Sequence, residues 1–238
     1  MWSGPRNLST AMMRSFSSRP DTIVSDEPFY GCYLKQTSDP QPMASEVMAS
    51  MDCDWTSVAR TMSGPAPTLA QIWYQKHMAH HMVGPVAYDD LPGLRHAFLI
   101  RDPDRVVASY SAKRVKVRPE HLGSAKQLEF FQREADRLGH APPVVDSADI
   151  LENPRGYLQA LCAALSIPWT DAMLSWKPGT HPSDGIWGSH WYDAVVRSSG
   201  FGPPDHQCPV LDRDEQMVAD ACRPHYEQLA KHKLTARA

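Results

Sequence analysis

Two short segments of this 238-residue chain carry residue types suited to holding phosphate. The first, Ser3-Gly4-Pro5-Arg6-Asn7-Leu8-Ser9-Thr10, opens a helical pattern. Gly4 permits a tight turn, and the first turn of a helix leaves its amides without intrahelical partners. An oxyanion seated there gains those donors and the favourable end of the helix dipole. Arg6 adds a fixed positive charge, and Ser9 and Thr10 add hydroxyls. The same residues also fit an ordinary capped helix, since Asn, Ser and Thr are common caps. The second segment is Arg101-Asp102-Pro103-Asp104-Arg105-Val106-Val107-Ala108-Ser109-Tyr110. It follows a buried apolar run, and Ser109 falls about two turns into the next helix. At the carboxyl end of a strand, the ligand side of a doubly wound sheet, Arg101 and Ser109 could reach one phosphate. Alone, this segment is more simply a solvated arginine followed by a helix cap. Together, the two segments suit a nucleotide with separated phosphates. The triphosphatase signature GxxxxGK[ST] is absent.

The elements that must position these residues follow from periodicity. Leu8, Met12, Met13 and Phe16 repeat at helical spacing, predicting a helix from about Leu8 to Ser18. Thr22-Ile23-Val24 is β-branched and strand-like. A helix is expected after Pro28, a loop from Gln36 to Pro42, a helix from Ser45 to Arg60, and a loop at Ser63–Pro67. Leu69 to Tyr74 reads as a strand leading into a basic patch from Lys76 to His81. His96 to Ile100 is the clearest buried strand, followed by a helix over Val106–Arg114. Gln127 to Leu138 is an amphipathic helix and Pro143-Val144-Val145 a short strand. Leu158, Leu161, Cys162 and Leu165 mark one helix face, and Met217, Val218, Cys222, Tyr226 and Leu229 another. Strands alternating with helices predict an α/β fold, a parallel sheet covered by helices on both faces. From Thr170 to about Pro209 the chain lacks clear periodicity, as a lid or an irregular connection would. No internal repeat or second-domain boundary stands out, so a single domain over residues 1–238 is expected.

Composition narrows the function classes. With 42% hydrophobic and 21% charged residues the chain is globular. A net charge of −3 gives no footprint for nucleic acid or an anionic membrane, so any bound anion needs a local site. No apolar run approaches the roughly 20 residues of a membrane span. The N-terminus lacks the charged and apolar regions of a signal peptide. Five cysteines, irregularly spaced and without a CxxC pair, fit reduced thiols in a cytoplasmic protein. The histidines at 77, 80 and 81 form no HExxH pattern, and no metal site is expected.

On these residues the chain resembles the sulfotransferases that use 3′-phosphoadenosine 5′-phosphosulfate (PAPS), in their bacterial and Golgi-like form. GPRNLSTAMMRSF is similar to their phosphosulfate loop and first helix, and IRDPDRVVASY to their 3′-phosphate motif. Ala148-Asp149-Ile150-Leu151-Glu152-Asn153-Pro154 and Leu165-Ser166-Ile167-Pro168 are similar to later segments, so the likeness runs from about Ser3 to Trp176. The resemblance implies a three-layer fold related to P-loop nucleotide kinases, PAPS as donor, no metal requirement and a small-molecule acceptor. Arg6 would touch the transferring sulfuryl group. Asn7, Leu8, Ser9 and Thr10 would cradle the 5′-phosphosulfate, and Arg101 with Ser109 would hold the 3′-phosphate. Three features depart from the pattern. Only Met1-Trp2-Ser3 precedes the loop where a longer strand is expected. Arg197-Ser198-Ser199-Gly200 is a faint counterpart of the late basic-glycine motif, and Asn7-Leu8 stand where relatives often carry Ser-Gly.

An acceptor hydroxyl or amine must lose a proton during transfer, and a positioned base contributes about 10²–10⁴-fold. Glu27, in Asp26-Glu27-Pro28-Phe29-Tyr30, is the first candidate by resemblance, with Asp26 behind it. His77 is the second, because Lys76-His77 is similar to the lysine–histidine motif of cytosolic members. Growing negative charge on the bridging oxygen calls for a cation, Arg6 or Lys76. Glu27 could instead serve only as a helix-start carboxylate, and His77 as a histidine without chemistry. Phe29, Tyr30, Trp73 and Tyr74 could wall an acceptor pocket or simply fill core. A P-loop-like kinase using ATP, and a non-catalytic nucleotide-binding relative, are the competing expectations; the oligomeric state is not legible.

Overall fold

In the computed structural model, residues 1–37, 39–86, 90–114, 116–204 and 206–236 are described. Ser38, in the expected Gln36–Pro42 loop, and Asp205, in the expected irregular stretch, lie outside them. The chain divides into two compact units, residues 1–9, 96–169 and 202–238, and residues 10–95 and 170–201. Among the described residues five strands alternate with helices, and every strand pair within a unit is parallel, as the α/β expectation requires.

The first unit holds β1 (Trp2–Ser3), β4 (Phe98–Ile100) and β5 (Val144–Asp146), in the order β1-β4-β5. β4 is the apolar run read from sequence; Phe98 and Leu99 are fully buried, as is Trp2 opposite Phe98. Gln127 ties the two-residue β1 to its neighbour by donating to the carbonyls of both Trp2 and Leu99, 3.1 and 2.9 Å away. Around these strands stand α5 (Pro103–Ser111), α6 (Pro119–Leu122), α7 (Ser124–Leu138), α8 (Ser147–Glu152), α9 (Pro154–Ala164) and α12 (Arg213–Ala230). α5 begins three residues earlier than hydrophobic spacing alone predicts. Asp102 caps it by accepting the amides of Asp104 and Arg105, and Pro103 suits the first turn. Asp146 and Asn153 cap α8 and α9 in the same way. Met217 does not join the buried face expected of it; it is 63% exposed, while Ala219, Cys222 and Leu229 are buried.

The second unit contains most of α1 (Ser9–Ser17), then β2 (Thr22–Asp26), α2 (Tyr30–Thr37), α3 (Ala44–Ser50), α4 (Trp55–Ser63) and β3 (Ile72–Met78). Two short helices follow, α10 (Gly188–Trp191) and α11 (Asp193–Arg197). The helix expected over Ser45–Arg60 is two helices, because Asp54 accepts the Ser57 amide and restarts the chain as α4. β3 runs four residues beyond the expected Leu69–Tyr74 strand and takes in Gln75, Lys76 and His77. These polar residues hid the strand, and register explains them: Asp26 of β2 lies opposite Lys76. Phe16 stacks on Tyr74 at 4.2 Å, and Tyr30, Tyr33, Leu34, Val47, Trp187 and Tyr192 form a buried cluster. The residues that loop from Thr170 to Phe201 therefore supply core. Among the described residues no helix is long and apolar enough to cross a membrane.

Candidate active site

In the first unit, the chain leaves β1 at Ser3 and reaches α1 through Gly4–Leu8. A Cβ on Gly4 would stand 2.6 Å from the Leu122 carbonyl oxygen, so only glycine lets the loop lie against α6. Arg6 and Leu8 both adopt left-handed backbone, with φ of 60° and 68°. Leu8 thus holds with a leucine side chain the backbone conformation that glycine adopts most readily.

This loop joins the second phosphate-type motif directly. Arg6 Nε donates to Ser109 Oγ at 2.8 Å, and Arg101 Nη1 donates to the Arg6 carbonyl at 2.6 Å. Three residues assigned from segments about a hundred positions apart thus meet at one place, and all three are half-buried. Asn7 is anchored from below. Its side-chain amide donates to the Leu99 carbonyl, and its own carbonyl accepts from Ser147 Oγ at 2.8 Å. Asn7 Oδ1 is buried without a hydrogen-bond partner among the described residues, and Asn7 lines a small cavity with Arg101, Ser124 and Gln127. Ser147 and Gln127 had no sequence signal, because each acts through contacts with distant carbonyls. Arg223 of α12 steadies the Arg101 end by pairing with Asp102 and Asp104, at 3.3 and 2.5 Å.

In the second unit, β2 ends at Asp26 and Glu27 follows with φ of 44°, a left-handed carboxylate. Such strain is characteristic of functional sites. Lys76, 1% exposed, directs its ammonium at Asp26 Oδ1 (2.9 Å), Glu27 Oε1 (2.6 Å) and Tyr192 Oη (2.7 Å). Its three protons therefore have three acceptors. Tyr192 Oη in turn donates to Asp26 Oδ2 at 2.7 Å, and Gly185 N–H donates to the same oxygen at 3.2 Å. Burial opposes charge on Lys76, yet the two carboxylates overcome it and raise its pKa. Burial pushes the Asp26 carboxyl above its ordinary range against the pull of Lys76. The hydrogen bonds fit the ionised form at neutral pH, because both Asp26 oxygens act only as acceptors.

The other base candidate stands apart from this cluster. His77 follows Lys76 on a strand, so its side chain leaves the opposite face. Its Nε2 lies 3.0 Å from Gln75 Oε1 and its ring packs toward Phe29. The imidazole that does approach Glu27 is His81, with Nε2 3.9 Å from Oε2. Burial, then the charge of Lys76, holds His81 well below its usual pKa, so it is neutral there. The aromatic residues weighed as an acceptor wall divide: Phe29, Tyr30 and Tyr74 are buried core, and Trp73 is half-buried with its indole N–H on Ser25. Among the described residues, no three His, Cys, Asp or Glu side chains converge as a metal site would require.

The family model described as "Sulfotransferase domain" matches residues 1–233. Two proteins of Arabidopsis thaliana, branched-chain-amino-acid aminotransferase-like proteins 2 and 1, are 29% and 31% identical over 234 residues, 97% of this chain. The chain spans 41% of the length of each. Among solved structures, the sulfotransferase domain from the curacin biosynthetic pathway superposes with a TM-score of 0.55 at 13% identity, covering 93% of this chain and 95% of that one. The sulfotransferase domain from the Synechococcus PCC 7002 olefin synthase gives 0.45 at 14% identity, covering 92% of each.

Proposed function

The chain belongs to the sulfotransferase domain family, and from that premise we propose that residues 1–238 act as one catalytic domain that moves a sulfuryl group from PAPS to a hydroxyl or amine of a small acceptor. The observation that carries this is the junction of Arg6, Arg101 and Ser109, which ties the two phosphate-type motifs into one cationic place. Asn7, Leu8, Ser9 and Thr10 cradle the 5′-phosphosulfate, and Arg101 with Ser109 takes the 3′-phosphate. The buried, unpartnered Asn7 Oδ1 suits a turn whose neighbouring amides are turned outward. Five free cysteines support a cytoplasmic, reducing setting.

In this reaction the bond from sulfur to the bridging phosphate oxygen breaks, and its electron pair leaves with the nucleotide as the 3′,5′-bisphosphate, PAP. The acceptor oxygen or nitrogen forms the new bond to sulfur, and its proton goes to Glu27. Arg6 meets the charge growing on the bridging oxygen. The Lys76 ammonium, with all three protons engaged, holds Glu27 and Asp26 in place instead.

The test is transfer of ³⁵S from labelled PAPS into a metabolite extract, with mass spectrometry of the product, beside an ATP–magnesium arm. Labelled sulfate esters or sulfamates are expected. Phosphorylated products, appearing only with ATP and magnesium, would move the chain to the kinase alternative. Binding of PAP without any turnover would make it a non-catalytic relative. Glu27→Gln keeps the shape and removes the proton acceptor, so turnover should fall by about 10²–10⁴-fold with PAP affinity unchanged. His77→Ala should lose far less, and the reverse ranking would return the chemistry to His77.

A further inference from the structure

The segment that sequence periodicity left unassigned places a phenol inside the carboxylate–lysine cluster. Between Asp184 and Tyr192 the chain is held at both ends. Asp184 makes a bidentate ion pair with Arg14, both bonds 2.6 Å, and Tyr192 Oη enters the cluster. Trp187 Nε1 donates to the same phenol oxygen at 3.0 Å. That oxygen therefore accepts from Lys76 and Trp187 and spends its own proton on Asp26. We propose that Tyr192 is a positioning residue for the sulfuryl-transfer base, keeping Asp26 ionised so that Lys76 is balanced and Glu27 remains able to accept a proton. This rests on the proposed role of Glu27 and deepens it.

The charges make the case. The groups facing the Asp26–Glu27 pair are Lys76 and Tyr74 of β3, His81 in the turn after β3, and Tyr192 at the end of the Asp184–Tyr192 segment. His81 is neutral. Tyr74 and Tyr192 are neutral phenols, their pKa values driven upward by burial first and by the carboxylates second. One lysine thus faces two buried carboxylates. Buried carboxylates beside each other favour taking up a proton, and a donor aimed at one of them holds it ionised. Tyr192 supplies that donor, with Gly185 N–H beside it. Without the hydroxyl, Asp26 takes a proton at higher pH. Lys76 is then left to Glu27 alone, and the tightened ion pair withdraws the base.

The experiment compares wild type with Tyr192→Phe, using ³⁵S-PAPS with water as acceptor so that no unidentified substrate is needed. Tyr192→Phe should lower kcat by about tenfold to a hundredfold, the scale of one hydrogen bond to a charged group. KM for PAPS should be unchanged, and the acid limb of the kcat profile should move up by about one pH unit. Infrared spectra give a reading independent of turnover: a carboxylic-acid C=O band should appear in Tyr192→Phe near neutral pH and vanish when Asp26→Asn is added. Should Tyr192→Phe not fold, Trp187→Phe removes the donor that polarises the phenol and should shift both readings less, in the same direction. A normal pH profile and no new band would overturn the proposal and leave sulfuryl transfer standing. Absence of any wild-type turnover or PAP binding would sink the sulfotransferase reading instead, with the infrared band still deciding the role of Tyr192.

Discussion

Around Arg6, half-buried in one unit, two contacts join a cation to a neutral group: a serine hydroxyl for Arg6, a backbone carbonyl for Arg101. Around Lys76, in the interior of the other, the contacts join one cation to two carboxylates and a phenol. Hydrogen bonds to neutral groups orient a guanidinium without cancelling its charge, an arrangement suited to holding an anion. The second cancels its lysine and retains a negative surplus, which suits proton handling and repels phosphate. Both hang from left-handed residues that are not glycine, Arg6 and Leu8 in one and Glu27 in the other. Strain is common to the two; burial and the sign of the remaining charge separate them.

The largest expected effect breaks the buried cluster. Lys76→Met removes the only ammonium facing Asp26 and Glu27 among the described contacts, leaving two carboxylates in the interior. Breaking a buried pair in this way costs about 3–5 kcal/mol. Urea denaturation should show that loss, and a loss below about 1 kcal/mol, the surface ion-pair scale, would mean that water reaches the site.

Arg101→Ala is the matched change in the other cluster and should act on ligand instead of fold. PAP binding should weaken by about 1.5–3 kcal/mol, the scale of a charged hydrogen bond. Adenosine 5′-phosphosulfate, which lacks the 3′-phosphate, should bind wild type and variant alike. Calorimetry with both ligands checks this; an equal loss for both would take the 3′-phosphate away from Arg101.

The same contrast decides what was legible in the sequence. The phosphate-type motifs were, because Gly4, Arg6, Asp102 and Arg101 act through local geometry: a turn, a cap, a strand end. The β4 strand was, because every residue in it is buried and apolar. The buried cluster was only half legible. Asp26 and Glu27 carried a motif, but β3 was placed too early because Gln75, Lys76 and His77 read as polar. Their burial rests on pairing with β2, which no local pattern reveals. Tyr192 lies 116 residues from Lys76 and 166 from Asp26, within a stretch without periodicity. Its role depends wholly on a long-range contact, as do those of Ser147 and Gln127. The split of the expected Ser45–Arg60 helix was nearer to reach, since Asp54 three residues before Ser57 is a cap signal.

The smallest expected effect sharpens the comparison at the loop, where strain is held by a side chain with no charge. Leu8 sits at φ 68°, a conformation that costs a non-glycine residue about 1–2 kcal/mol. Leu8→Gly relieves that strain. Against it stand the greater freedom of glycine in the unfolded chain, about 0.4–1 kcal/mol, and the loss of a half-buried side chain. These terms nearly cancel, so Leu8→Gly should change stability by less than about 1 kcal/mol. A Leu→Gly change at buried Leu99 should cost several times more, since truncating a core leucine even to alanine costs about 2–5 kcal/mol. Leu8→Val gives the decisive ranking. Valine keeps more apolar volume than glycine, but its branched Cβ is least tolerant of positive φ. Urea midpoints should therefore place Leu8→Val below Leu8→Gly, opposite to the order that burial alone predicts. If valine proves the more stable, the loop does not carry its left-handed turn in solution, and the geometry that brings Arg6 to Ser109 must be built some other way.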